Sequence, residues 1–278
     1  MSADFLKQMA LRSRERVVAA KLVCSEARML TQARESPAPP PLTPSAVGFD
    51  VIAELKLRSP AAGALRTVDE DIGRRVRRYA TAGAVAVSVL TEPSEFQGEL
   101  AHLELTCRAL MPAHIPAMRK DFLVDPYQVA EARASGAGGV LVILRMLPRQ
   151  TLQALLAAAE DLGLFVLLEA FDEADIELAH ELVSGYEPGP SPKLLVGVNC
   201  RDLVTLQVVP GRLEELAPLL PQGVLRVAES GVACAADASR VRAAGYDVVL
   251  VGSALMRARD PEELVRQMLS AGRAEAPR

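Results

Sequence analysis

Residues 139–168 read GVLVILRMLPRQTLQALLAAAEDLGLFVLL. Two short runs of branched and aromatic apolar residues, Gly139–Leu144 and Phe165–Leu168, bracket the segment TLQALLAAAEDLG. That segment spaces its apolar residues for one face of a helix and closes on a glycine that can end it. Strand, helix, strand is therefore the local reading, and a helix joining two strands makes the strands parallel.

The same unit repeats outward in both directions. Further strand candidates are Val51–Leu55, Ala84–Leu90, Ile115–Met118, Leu194–Val198, Leu225–Ala228 and Val248–Val251. Helix-like segments between them include DEDIGRRVRRYATAG, DPYQVAEARASGAG, DEADIELAHELVSG and ADASRVRAAGYD, several opening on Asp or Thr as an N-cap. Eight such units in roughly 230 residues are the usual content of a closed (β/α)8 barrel, the TIM-barrel fold. An open doubly wound sheet is the rival. It lacks support because no GxGxxG opens a first helix, and because polar residues gather after nearly every strand instead of at one crevice. Residues 1–47 form an N-terminal extension, the amphipathic helix FLKQMALRSRERVVAAKLVCSEARML followed by the extended proline-rich connector SPAPPPLTP. The barrel is expected over 48–272 and a flexible tail over 273–278. GYEPGPSPK reads as a surface loop.

Composition limits the function. A net charge of −4 over 278 residues provides no broad basic field for nucleic acid or an anionic membrane, although an anionic small molecule can still be held locally. The apolar runs fall well short of the roughly 20 residues a bilayer span needs, and the first residues lack the apolar region of a signal peptide, so a cytoplasmic location is expected. Cys24, Cys107, Cys200 and Cys234 lie far apart with no CxxC or Cys/His ligand spacing, which reads as reduced thiols and no metal site. A monomer is the simplest expectation, with other subunit arrangements left open.

In a barrel of this kind the chemistry belongs at the C-terminal ends of the strands. Ile52, Glu54 and Lys56 share one face of the first strand, which places two opposite charges near the barrel mouth. They are either a structural ion pair or a polarised wall facing substrate. Lysine is rare here, occurring only at Lys7, Lys21, Lys56, Lys120 and Lys193. Unlike arginine, lysine can act as an acid or base. Lys120 follows the third strand, Glu169 the fifth, Asn199 and Arg201 the sixth, and Glu229, Ser230 and Gly231 the seventh. Two carboxylate-ended strands beside two rare lysines suit proton transfer. Gly252 and Ser253 end the eighth strand and enter a short helical piece; together with Ser230 and Gly231 they read as a phosphate cradle. Arg145 is either a substrate contact or a surface cation. His102, His114 and His180 lie away from strand ends and read as surface or partly buried residues.

With these residues placed, the sequence resembles indole-3-glycerol-phosphate synthase, a barrel enzyme of tryptophan biosynthesis. The resemblance runs from Val51 to Leu264 and rests on AELKLRSP, VSVLTEPSEFQG, MRKDFLVDPYQVAEARASGA, VLLEAFDEADIELA, GVNCRDL, VAESGV and DVVLVGSALMRA, with SRERVVAAK similar to the extra helix before the barrel. It implies a decarboxylating ring closure of 1-(2-carboxyphenylamino)-1-deoxyribulose 5-phosphate, a phosphosugar substrate, without metal or organic cofactor. It also implies roles: Lys120 as general acid, Glu169 as base or proton shuttle, Glu54 and Lys56 as an assisting pair, and Asn199, Arg201 and Glu229 as positioning residues. Ser59 would contact the anthranilate end, Leu90 and Phe122 would wall the ring, and Ser230, Gly231, Gly252 and Ser253 would hold the phosphate. Cys200, Ala61 and Glu99 depart from the usual pattern. The departures leave room for a paralogue acting on a modified anthranilate. A non-catalytic phosphosugar-binding barrel, or an isomerase or aldolase on the same fold, are the other readings.

Overall fold

The strands close. In the computed structural model, which describes residues 2–60, 63–65, 71–184, 193–202, 205 and 207–274, eight parallel strands form a barrel: β1 Asp50–Leu55, β2 Ala86–Leu90, β3 Ala117–Lys120, β4 Gly139–Ile143, β5 Phe165–Ala170, β6 Leu194–Asn199, β7 Leu225–Glu229 and β8 Val248–Val251. Each strand pairs with its neighbour in the chain, and β1 closes the circle by pairing with both β8 and β2. An open sheet is thereby excluded.

Strand alternation sorts the apolar residues into two layers. Ile52, Met118, Leu141, Leu167, Leu195 and Val227 point inward and fill the barrel. Val51, Ala53, Val87, Val140, Val166 and Val249 point outward beneath the surrounding helices. The inner layer is solid apolar packing below the mouth, so polar groups on the last inward position of a strand are held at the top of a rigid plug.

Helices follow the expected segments, with capping that explains where they begin. Asp71, Asp125 and Asp172 cap the helices Ile72–Thr81, Pro126–Ala134 and Glu173–Val183 by accepting backbone N–H bonds. The helix Ala235–Ala244 stops at Gly245, whose φ of 107° suits glycine. The helix expected to open at Thr151 starts earlier, at Arg149, without a side-chain cap. The last helix runs from Pro261 to Arg273, and Arg273 binds Phe49 O and Asp50. GYEPGPSPK apart from its last lysine, and Ala61 in the loop after β1, lie outside the described residues.

The N-terminal extension is two helices, α1 Ser2–Val23 and α2 Glu26–Glu35, broken where Ser25 caps the second. Leu6 and Met9 of α1 pack onto the inner apolar layer, so α1 lies over the barrel mouth. Among the described residues no helix is long and apolar enough to cross a membrane.

Candidate active site

The strand-end residues singled out in the sequence, Arg145 apart, meet in one cavity of about 520 Å³ at the C-terminal face. Glu54, Lys56, Lys120, Glu169, Asn199 and Glu229 line it, as do Ser59, Leu90, Phe122, Arg201, Ser230, Gly231, Gly252 and Ser253. Barrel closure brings them together: the register pairs Leu90 with Lys120, Ile143 with Glu169 and Asn199 with Glu229.

At the floor, two ammonium groups face three buried carboxyls. Lys56 Nζ lies 2.6 Å from Glu54 Oε1. Lys120 Nζ lies 3.2 Å from Glu229 Oε2 and 3.6 Å from Glu169 Oε1. Burial pulls the Lys120 ammonium towards losing its proton, but Glu169, Glu229 and Glu54 together outweigh that effect and hold it protonated beyond the ordinary lysine range. Glu229 moves upward too. Its desolvation outweighs the attraction of Lys120, and Glu169 adds to the rise. The two shifts are compatible, because three carboxyls exceed the two lysines and one of them keeps a proton most readily. Among the described residues Glu229 Oε1 has no hydrogen-bond partner.

Asn199 orients Glu169. Its amide nitrogen donates to Glu169 Oε1 at 2.5 Å, while its own carbonyl oxygen accepts the Arg201 backbone N–H at 3.0 Å. The second bond fixes which way the amide faces. Small residues make the room: a Cβ on Gly197 would stand 2.4 Å from Glu229 Oε1.

On the β7 and β8 side, Ser230 and Gly231 both adopt left-handed backbone, with φ of 66° and 68°. Such a conformation is unfavourable for serine. Beside these residues Gly252 and Ser253 lead into the short helix Ser253–Arg257. Lys56, Arg201 and Arg257 supply positive charge around this end. The opposite side is apolar: Phe96 and Phe122 lie 6.3 Å apart, and Phe5 from α1 meets Phe122 edge-on at 6.0 Å.

Several lining residues carried no signal in the sequence. Phe5 and Leu6 reach the cavity from α1, Phe96 from the turn after β2, and Arg257 from beyond β8. Asp121, next to Lys120, is also at the cavity and is buried. Of the residues left open, Arg145 pairs with Asp172 and Asp175 and covers the Phe171 ring, which assigns it to the surface of the barrel top. His180 bonds Leu219 O, and His102 pairs with Glu99, both away from the cavity. Cys200 does not line the cavity. Its thiol is buried beneath Gly231, 2.8 Å from where a Cβ on that glycine would stand. Burial also pushes the Cys200 thiol up to about 11.

A closed parallel barrel that gathers buried lysines and carboxyls at its C-terminal mouth, beside two left-handed residues after β7, has the architecture of a barrel enzyme with its ionisable groups on that face. The family model for indole-3-glycerol phosphate synthase matches residues 6–268. The chain belongs to that family. It is 45% identical over 228 residues to the indole-3-glycerol phosphate synthase of Parafrankia sp. (strain EAN1pec), covering 82% of this chain and 80% of that one. It is 40% identical over 245 residues to the protein of that name from Mycobacterium tuberculosis (strain CDC 1551 / Oshkosh), covering 87% and 85%. Among solved structures, tryptophan synthase from M. tuberculosis superposes with a TM-score of 0.58 at 15% identity, covering 90% of this chain and 99% of that one. 3-Hexulose-6-phosphate synthase from Salmonella typhimurium gives 0.60 at 16%, covering 80% and 98%. At these identities the structural likeness concerns the fold alone.

Proposed function

We propose that the chain converts 1-(2-carboxyphenylamino)-1-deoxyribulose 5-phosphate to indole-3-glycerol phosphate, carbon dioxide and water, acting as a carboxy-lyase in tryptophan biosynthesis. The observation that carries this reading is Lys120 held between Glu169 and Glu229 at the base of a cavity with aromatic residues on one side and anion-binding loops on the other. A substrate with an aryl group at one end and a phosphate at the other fits that polarity. Its ketone then falls near the lysines in the middle.

Ring closure needs the aryl carbon that bears the carboxylate to attack the ketone carbon. The new carbon–carbon bond pushes the carbonyl electrons onto oxygen, and Lys120 Nζ supplies the proton that oxygen takes. Its protonated state is secured by the surrounding carboxylates. Carbon dioxide then leaves from the ring carbon and returns its electron pair to the ring. Expulsion of the hydroxyl as water requires a second proton, delivered within reach of the Glu54–Lys56 pair, and a base to take a proton from the methylene carbon between the nitrogen and the carbinol carbon, so that the double bond of the new ring forms there. Glu169, whose carboxylate accepts a hydrogen bond from Asn199, takes that task in this reading. Ser59 and Leu90 complete the aryl end, Arg201 the ring of polar contacts. Ser230, Gly231, Gly252 and Ser253 seat the phosphate. A protein working on a metabolite of this kind fits the cytoplasm.

The chain contains no tryptophan, so indole fluorescence that grows on incubation with the substrate reports product alone. Folded protein at ample concentration that gives no such signal, while still binding the substrate, would instead mark a non-catalytic phosphosugar-binding barrel.

A further inference from the structure

Arg16 stands on α1, outside the barrel, yet its guanidinium reaches two carboxylates at strand ends. Nη2 donates to Asp121 Oδ1 at 2.6 Å and Nη1 to Glu92 Oε1 at 3.5 Å. Both acids are buried, Asp121 with 4% of its surface exposed and Glu92 with none. Each also holds the backbone of an aromatic residue at the cavity. Asp121 Oδ1 accepts the Phe122 N–H at 2.8 Å, and Glu92 Oε2 accepts the Phe96 N–H at 3.2 Å. Phe5 lies on the same helix as Arg16 and packs edge-on against Phe122. One guanidinium thus joins the three separate chain segments that carry Phe5, Phe96 and Phe122.

Neither acid needs Arg16 in order to be buried. Asp121 also accepts from Thr91 Oγ1 at 2.8 Å and Arg119 Nη2 at 3.2 Å, and Glu92 accepts the Ser94 and Glu95 backbone N–H groups at 2.9 and 2.7 Å. Removing the guanidinium therefore leaves no bare buried charge, so what it adds is relative position. A planar fork with two donors on separate nitrogens fixes the distance between its acceptors in a way a single ammonium does not.

We propose that Arg16 is a positioning residue which, by bridging Asp121 and Glu92, sets Phe5, Phe96 and Phe122 as one aromatic wall for the aryl group of the substrate. The proposal deepens the ring-closure reading and rests on it for the identity of that aryl group. The phosphate loops, on strands β7 and β8 across the barrel, do not depend on the bridge.

The test combines steady-state turnover with equilibrium titration of two probes, anthranilate and inorganic phosphate, for the wild type, Arg16→Met, Arg16→Lys, Phe5→Ala and the Phe5→Ala/Arg16→Met pair. Arg16→Met should raise KM and the anthranilate Kd about tenfold, with kcat falling less than KM rises, the pattern of lost binding common to ground and transition states. Phosphate Kd should stay within about twofold, since that subsite is untouched. Arg16→Lys keeps the charge and loses the fork, so it should remain closer to Arg16→Met than to wild type. The double variant should be little worse than the poorer single one, because both changes loosen the same wall. Unchanged anthranilate affinity in Arg16→Met overturns the proposal, as does an equal loss of phosphate affinity, or a wild type that binds no anthranilate. A wild type that shows the expected binding pattern but forms no indole refutes the ring-closure reading and leaves the wall intact.

Discussion

Gly252 and Glu54 share one space: a Cβ on Gly252 would stand 2.1 Å from Glu54 Oε1 and 3.0 Å from Lys56 Nζ. Gly252 has a φ of −118°, which any residue adopts, so its lack of a side chain serves the carboxylate and not the backbone. The end of β8 and the charged pair on β1 are therefore one unit. Gly252→Ala should keep the fold and displace the Glu54–Lys56 contact, lowering kcat about tenfold or more by misplacing a proton donor. Kinetics on the purified variant, with its melting curve as control, decide it; wild-type kcat would show that the pair has slack.

Lys120→Arg keeps a positive charge between Glu169 and Glu229 but removes a proton that can be given up. If Lys120 is the general acid, kcat should fall roughly 10²-fold or more. Turnover close to wild type would mean that only the charge matters at this position.

The barrel was readable from the sequence because its strands are short branched runs and several of its helices open on capping aspartates, both local properties. The meeting of lysines and carboxyls at the strand ends was readable for a related reason. Glu54, Glu169 and Glu229 interrupt segments otherwise fit for a core, and an ionisable group there stands out without knowledge of its partners. Arg16 gave no such signal. On a helix rich in charge it reads as a solvated residue, and its partner Asp121 is 105 positions away. Phe5 and Leu6 were hidden likewise, since an amphipathic helix does not state which surface its apolar face will cover. Arg145 is ambiguous in the sequence because its partners Asp172 and Asp175 lie some thirty positions on, and Gly252 reads there as part of a phosphate loop, with no hint of the room it leaves for Glu54.

Asn199 is expected to matter through Glu169. Asn199→Ala frees that carboxylate to rotate and should lower kcat about tenfold with little change in KM, because the lost contact acts on the reacting geometry. Asn199→Asp keeps the shape but replaces the donor with a like charge, so its kcat should fall further. If the aspartate variant is the more active of the two, space filling and not hydrogen bonding is what Asn199 provides.

Glu229 ties stability to pH in the direction opposite to a salt-bridged surface acid. Its folded-state pKa lies above the ordinary carboxylate value, chiefly through burial, so between those values the folded protein holds more protons than the unfolded chain. Stability contributed by this group is then complete below the ordinary carboxylate range and declines as pH rises towards the folded value. Glu229→Gln has nearly the same shape and no proton to lose. The melting temperature of the variant minus that of wild type should therefore increase between about pH 5 and about pH 8, by about 2 °C or more for a protein of this size. Groups remote from position 229 cancel in the difference, which leaves Glu229 and the Lys120, Glu169 and Glu54 groups that titrate with it. A difference that stays flat or falls over that interval would mean that Lys120 holds Glu229 ionised throughout, and the proton would have to reside elsewhere in the cluster.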